Sequence, residues 1–224
     1  MISIFINHIK KSTYLYVLTG FISVFAGSYD DFFKAVKMDD AAATARLIER
    51  GFDVNTLDSS GQPGLTLALQ EPSPKVASLL AAAPKIDLNL LNSKGESPLM
   101  LAALKGQLDL AGLMVKKGAD VNKTGWTPLH YAATTGQVAV IRLLIENHAY
   151  IDAESPNGST PLMLASMYGT ADAVRLLLDE GADPALKNQQ GLTAVQFAER
   201  ASRPDAAALI MKNIKANRPL PGKW

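Results

Sequence analysis

Cysteine is absent from the 224 residues, which removes disulfides, thiolate metal sites and cysteine nucleophiles together. Histidine is almost as scarce. Of three, His8 lies near the N-terminus, so only His130 and His148 remain for the body of the chain. With so few imidazoles and no thiol, no zinc cluster of three or four ligands can be assembled, nor a convincing Ser-His-carboxylate arrangement. Neither phosphate-cradling glycine motif, Gly-x-x-x-x-Gly-Lys or Gly-x-Gly-x-x-Gly, is present. No metal, cofactor or catalytic residue is therefore expected. Charge of one sign is also missing: 22 Lys and Arg stand against 21 Asp and Glu, a formal +1, without the basic footprint of a nucleic-acid binder.

What remains is an ordinary ordered composition, 48% hydrophobic and 19% charged, enough for the core of one or two domains. The first 28 residues stand apart, with Lys10 and Lys11, an apolar run from Thr13 to Ala26 and no acidic residue. That run is 14 residues, short of the roughly 20 a helix needs to cross a membrane, so residues 1–28 read as a secretory signal. Cleavage after Ala26 or after Ser28 satisfies the small-x-small rule, the latter leaving Tyr29 first. An uncleaved N-terminal anchor is the alternative. Removing the segment takes two of the 22 basic residues and none of the 21 acidic ones, leaving a net charge of −1 and no affinity for a membrane surface. The expected location is the periplasm or the secreted fraction.

The rest of the chain repeats itself. Gly95 to Gly106 reads Gly-Glu-Ser-Pro-Leu-Met-Leu-Ala-Ala-Leu-Lys-Gly, Gly125 to Gly136 reads Gly-Trp-Thr-Pro-Leu-His-Tyr-Ala-Ala-Thr-Thr-Gly, and Gly158 to Gly169 reads Gly-Ser-Thr-Pro-Leu-Met-Leu-Ala-Ser-Met-Tyr-Gly. A fainter copy begins at Gly191. A second motif, Gly-x-Asp-x-x, is interleaved at Gly51, Gly118 and Gly181. The leading glycines Gly61, Gly95, Gly125, Gly158 and Gly191 are 34, 30, 33 and 33 residues apart.

Each recurring residue has a physical task. The hydroxyls of Thr127 and Thr160 satisfy free N–H groups of a first helical turn, and Pro128 and Pro161 sit where a missing N–H costs nothing. Paired small residues, Ala102 and Ala103, Ala132 and Ala133, Ala165 and Ser166, keep that helix thin for a neighbouring repeat. Val138, Ile141, Leu144 and Ile145, then Ala171, Val174, Leu177 and Leu178, give a second helix an apolar stripe. Gly51, Gly118 and Gly181 end it in left-handed conformation, and Asn147-His148 takes that place once. Asp53, Asp120 and Asp183 read as turn formers.

These motifs resemble the ankyrin repeat family, whose unit of about 33 residues is a turn followed by two antiparallel helices with a Thr-Pro-Leu-His-x-Ala signature. Residues 127–132, Thr-Pro-Leu-His-Tyr-Ala, match it at every specified position. The resemblance covers roughly Tyr29 to Lys215. It implies an all-α solenoid of about six helix-turn-helix units with short hairpin-like loops, near 29–57, 58–90, 91–123, 124–154, 155–187 and 188–217, followed by an extended tail, 218–224. In the family the motif histidine bonds between the threonine and the adjoining loop, which is the role implied for His130.

The resemblance further implies a non-enzymatic, monomeric scaffold that binds a protein partner through a concave face, with an inhibitor or immunity-type protein as the alternative. By analogy with the family's contact positions, the partner-binding residues are Leu104, Lys105, Thr134, Thr135, Met167 and Tyr168 at the ends of the first helices. Glu96, Trp126, Ser159 and Leu192 hold the matching places on the loops. The 30-residue interval shortens one loop between Asn122 and Gly125 and is expected to expose Trp126.

Overall fold

The computed structural model describes residues 27–217. The expected signal segment, but for its last two residues, and the tail from 218 lie outside the described residues. The chain divides into two compact units, one ending at Ile86 and one beginning at Asp87.

In the first unit, α1 spans 27–37, α2 Ala41–Glu49, α3 Gly64–Gln70 and α4 Pro74–Ala82. The Asp40 side chain caps α2 by accepting from the Ala43 N–H at 2.8 Å. Asp39, left-handed at φ 52°, turns α1 into α2 and accepts from the Val76 N–H at 2.9 Å, joining that turn to α4. Phe32 is fully buried, stacks on Phe52 at 4.5 Å between centroids and meets Phe33 edge-on. A Cβ on Gly64 would stand 2.7 Å from the Phe32 ring, so the glycine there admits the ring. Where other units place Ser or Thr, α3 has Pro63, and no side chain caps that helix.

The second unit contains α5 (Pro98–Leu104), α6 (Leu108–Lys116), α7 (Pro128–Thr135), α8 (Val138–Glu146), α9 (Pro161–Tyr168), α10 (Ala171–Asp179), α11 (Ala194–Arg200) and α12 (Pro204–Ala216). Helices α5, α7, α9 and α11 pack side by side as one layer, and α6, α8, α10 and α12 as a second. Four helix pairs here and two in the first unit make the six expected repeats. Among the described residues there is no strand, only an isolated bridge between Leu57 and Pro63.

The small residues do what their spacing implies: Ala102, Ala103, Ala132, Ala133, Ala165 and Ser166 are all fully buried in the first layer. In the second layer Val140, Ile141, Leu144, Val174 and Leu177 form the buried stripe. Gly51, Gly118 and Gly181 have φ of 92°, 93° and 97°, and His148 fills the same place at 66°.

One motif glycine behaves differently from its sequence equivalents. Gly136 is left-handed, whereas Gly169 is extended at φ −80°, ψ −153°. The next residue explains it: Thr170 adopts the extended conformation of an N-cap and accepts from the Ala173 N–H at 3.2 Å, which Gln137 in the equivalent place does not do. Gly169 is required for space, because a Cβ there would lie inside van der Waals contact of the Ala133 carbonyl.

A side-chain ladder joins successive loops of the second unit. Asn89 accepts from the Asp120 N–H at 2.8 Å, and Asn122 accepts from the Tyr150 N–H at 2.8 Å while donating to the His148 carbonyl at 2.7 Å. Asp152 accepts from the Asp183 N–H at 3.1 Å. The recurring aspartates are turn formers as expected at Asp53 and Asp183, each accepting from the N–H two residues on. Asp120 instead contributes its own N–H to the ladder.

Candidate functional interface

The signature segment is built from its first helical turn outward. Thr127 caps α7, Thr160 caps α9 and Ser97 caps α5, each accepting from the N–H three residues on, with Pro128, Pro161 and Pro98 at the first helical position. The third helical residue reciprocates. In α7 that residue is His130, whose Nδ1 lies 2.8 Å from the Thr127 hydroxyl and accepts from the Thr127 N–H at 3.2 Å. Its Nε2 reaches the Ser159 carbonyl at 3.0 Å, tying α7 to the next loop. With Nδ1 accepting, Nε2 carries the proton and donates to that carbonyl. Burial holds the His130 pKa below the ordinary imidazole value. The imidazole is therefore a neutral structural bridge, 0% exposed and closed to any substrate.

The expected contact residues separate into three kinds. Tyr168 is 60% exposed and Trp126 37%, with the indole meeting the His130 ring edge-on at 5.4 Å. Lys105 is exposed, and Leu104 and Met167 are half-buried. Thr134 and Thr135 are committed internally: Thr134 donates to the His130 carbonyl at 2.8 Å and Thr135 to the Leu104 carbonyl at 2.9 Å. Thr135 thus joins α5 to α7, and the threonines offer a partner their methyl groups and lone pairs rather than a hydroxyl proton.

Of the loop positions, Trp126 alone combines an aromatic ring with open surface. Ser159 is buried at 1% exposure and contributes none. Glu96 is occupied from two sides, accepting from the Asn92 amide at 2.8 Å and from the Tyr131 hydroxyl at 3.1 Å. Burial, then the Glu96 charge, push the Tyr131 hydroxyl well above the usual phenol range, so it stays a donor. That loop-to-helix bond escapes the motif because Tyr131 occupies its unspecified position. Tyr150, 71% exposed, stands where other units have aspartate and was likewise invisible to the motif.

Among the described residues no group of His, Asp or Glu could hold a metal ion, and no helix is long and apolar enough to cross a membrane. The arrangement presents a fixed surface of ring, thioether and methyl groups on a rigid support.

The family profile described as ankyrin repeats in three copies matches residues 65–155 and 148–219. The curated relatives include the ankyrin repeat and SAM domain-containing protein 6 of Rattus norvegicus and of Mus musculus, each 31% identical over 107 residues, 46% of this chain and 12% of the relative. The chain thus spans about an eighth of the length of those relatives. Among solved structures, an ankyrin repeat domain from Acinetobacter baumannii AYE is similar with a TM-score of 0.71 and 26% identity, over 81% of this chain and 96% of that one. A chain from the complex of a predatory endopeptidase with an immunity protein, from Bdellovibrio bacteriovorus, is similar with a TM-score of 0.69 and 29% identity, over 81% and 97%.

Proposed function

The chain belongs to the ankyrin repeat family, and from that premise we propose that it is an exported, monomeric scaffold without chemistry of its own, which binds a protein partner through the first-layer face of its second unit. Ankyrin repeats are protein-interaction scaffolds. The observation that carries this placement is that Tyr168, and the part of the Trp126 ring not packed on His130, leave aromatic surface in water. Leu104, Lys105, Thr134, Thr135 and Met167 complete the surface. Affinity capture from the exported fraction, with the wild type beside a Trp126→Ala, Tyr168→Ala double variant, tests it. The wild type is expected to retain a protein that the folded double variant loses, and equal retention contradicts the assignment. Export is tested separately by fractionation with N-terminal sequencing: a mature chain beginning at residue 27 or 29 supports it, and a cytosolic chain beginning at Met1 refutes it.

A second reading is favoured by one comparison. The similarity to a chain from the endopeptidase and immunity-protein complex supports an inhibitor that covers a partner's active site. Titrating the captured partner's activity with this chain distinguishes the two. An inhibitor abolishes turnover at one equivalent, whereas a scaffold leaves it intact.

A further inference from the structure

Ser97, Thr127, Thr160 and Thr193 head the four first-layer helices of the second unit. Counted from them, the seventh and eighth positions are Leu104 and Lys105, Thr134 and Thr135, Met167 and Tyr168, then Arg200 and Ala201. Because α5, α7, α9 and α11 lie side by side, these residues form one row across the four helix ends. The row is held from within. Thr135 donates to the Leu104 carbonyl at 2.9 Å, Thr170 to the Gly136 carbonyl at 3.4 Å and the Arg203 guanidinium to the Gly169 carbonyl, tying the ends of α5, α7 and α9 each to the following repeat.

The row is one-sided in charge: it carries Lys105 and Arg200, both exposed, and no carboxylate. Glu96, on the loop before α5, already accepts from Asn92 and Tyr131. Glu199 precedes Arg200, at the position where Ala103, Ala133 and Ser166 are fully buried in the stack, and adjacent positions of a helix do not share a face. It is exposed because no helix pair follows α11 and α12 among the described residues. Of the two arginines near the end of the row, Arg203 is taken by the Gly169 carbonyl and, at 3.2 Å, by Asp205. Arg200 forms no ion pair among the described residues. It stands in register with Met167, half-buried, and next to Tyr168, 60% exposed. A guanidinium beside apolar surface on a fixed support suits a carboxylate, which it can bind through two parallel N–H donors.

We infer that this row receives an acidic segment of the partner protein, one carboxylate of which pairs with Arg200 while a nearby apolar side chain lies on Met167 and Tyr168. The inference rests on the protein-binding reading above and adds the charge and spacing of what is bound. Packed helices stand about 8–10 Å apart and an extended chain advances about 3.3 Å per residue, so carboxylate and apolar anchor are roughly three residues apart.

The test selects peptides from a random display library against the full chain and measures the best of them as synthetic peptides. They are expected to carry Asp or Glu about three positions from an apolar residue and to weaken as salt rises. Arg200→Glu is expected to weaken them at least about fivefold, and replacing the peptide carboxylate by lysine to restore binding to that variant. Lys212→Glu, the same charge change on an exposed residue of the second layer, is expected to leave binding as it was. The lysine peptide reads a gain of binding, so the charge swap decides the matter even if Arg200→Glu lowers the urea midpoint. A library without binders, binders with no acidic preference, or a loss in Arg200→Glu that the lysine peptide does not recover overturns the inference. In those cases the broader reading survives if the Trp126→Ala, Tyr168→Ala variant still loses its captured protein. If that variant keeps both its protein and the peptides, the broader reading fails together with the inference.

Discussion

The two units solve one problem by different means. The second, from Asp87, repeats a small device: Ser97, Thr127 and Thr160 head their helices in capping boxes, and Asn89, Asn122 and Asp152 link consecutive loops. Each such contact contributes on the order of 1 kcal/mol, and the sum is spread over every repeat. The first unit leaves α3, with Pro63 at its head, without a side-chain cap and concentrates its packing in Phe32, Phe33 and Phe52. Distributed stabilisation tolerates single losses, whereas a central ring does not.

The sharpest way to break this contrast is Phe32→Ala, which is expected to cost about 3–5 kcal/mol because the ring is fully buried between Phe52 and Gly64. Urea unfolding that showed a loss no greater than that of Ser97→Ala, expected near 1 kcal/mol, would erase it. Gly169→Ala comes next, at about 1–3 kcal/mol, since the added methyl must push against the Ala133 carbonyl. Gly118→Ala, where nothing crowds the Cβ and only the left-handed backbone resists, is expected to cost about 1 kcal/mol.

Acid tests the bridge at His130. Its folded pKa is depressed, so the unfolded chain takes the proton first, and stability present above the ordinary value of 6.5 is lost as pH falls below it. The slope reaches at most about 1.4 kcal/mol per pH unit. Urea midpoints that stayed flat from pH 7.5 to 5.5 would show that the imidazole is not held neutral.

The smallest effect has the opposite sign. Asp152 stands where the preceding loops have Asn89 and Asn122, and burial, aided by the Asp183 charge, raises its carboxyl pKa against the Asp183 N–H bond that lowers it. The folded state therefore favours the protonated form, and stability is lost as pH rises through the raised value. Asp152→Asn is expected to stabilise by a few tenths of a kcal/mol at pH 7, discounted for solvent screening, and to make no difference once the carboxyl is protonated. A destabilised variant at pH 7 would show that the carboxylate itself is needed.

Much of this was legible in residue order because the devices are local. A hydroxyl before proline fixes a helix start within one turn, and small pairs at constant spacing fix the layer that neighbours approach. The role of His130 came from the family resemblance, which implies an imidazole bonded between the motif threonine and the adjoining loop, and the bonds to Thr127 and Ser159 bear it out. Gly169 was misleading because its conformation is set by Thr170, which its sequence equivalents lack. The Phe32 and Phe52 stack and the Tyr131 bond to Glu96 depend on which distant segments meet, and no period encodes that. Trp126 and Tyr168 were found by subtraction, as large rings at places the repeat leaves free. Ser159 failed the same subtraction because its loop folds inward over His130.

The account holds that partner recognition rests chiefly on the exposed rings of Trp126 and Tyr168, whereas the stack rests chiefly on the helix caps and the buried layers. The most direct test measures partner retention and urea midpoint together for the Trp126→Ala, Tyr168→Ala variant and for Thr127→Ala. The double variant is expected to lose the partner with its midpoint nearly unchanged, and Thr127→Ala to lower the midpoint while what stays folded still binds. Retention that followed the midpoint in both variants would mean that the exposed rings serve only the stack.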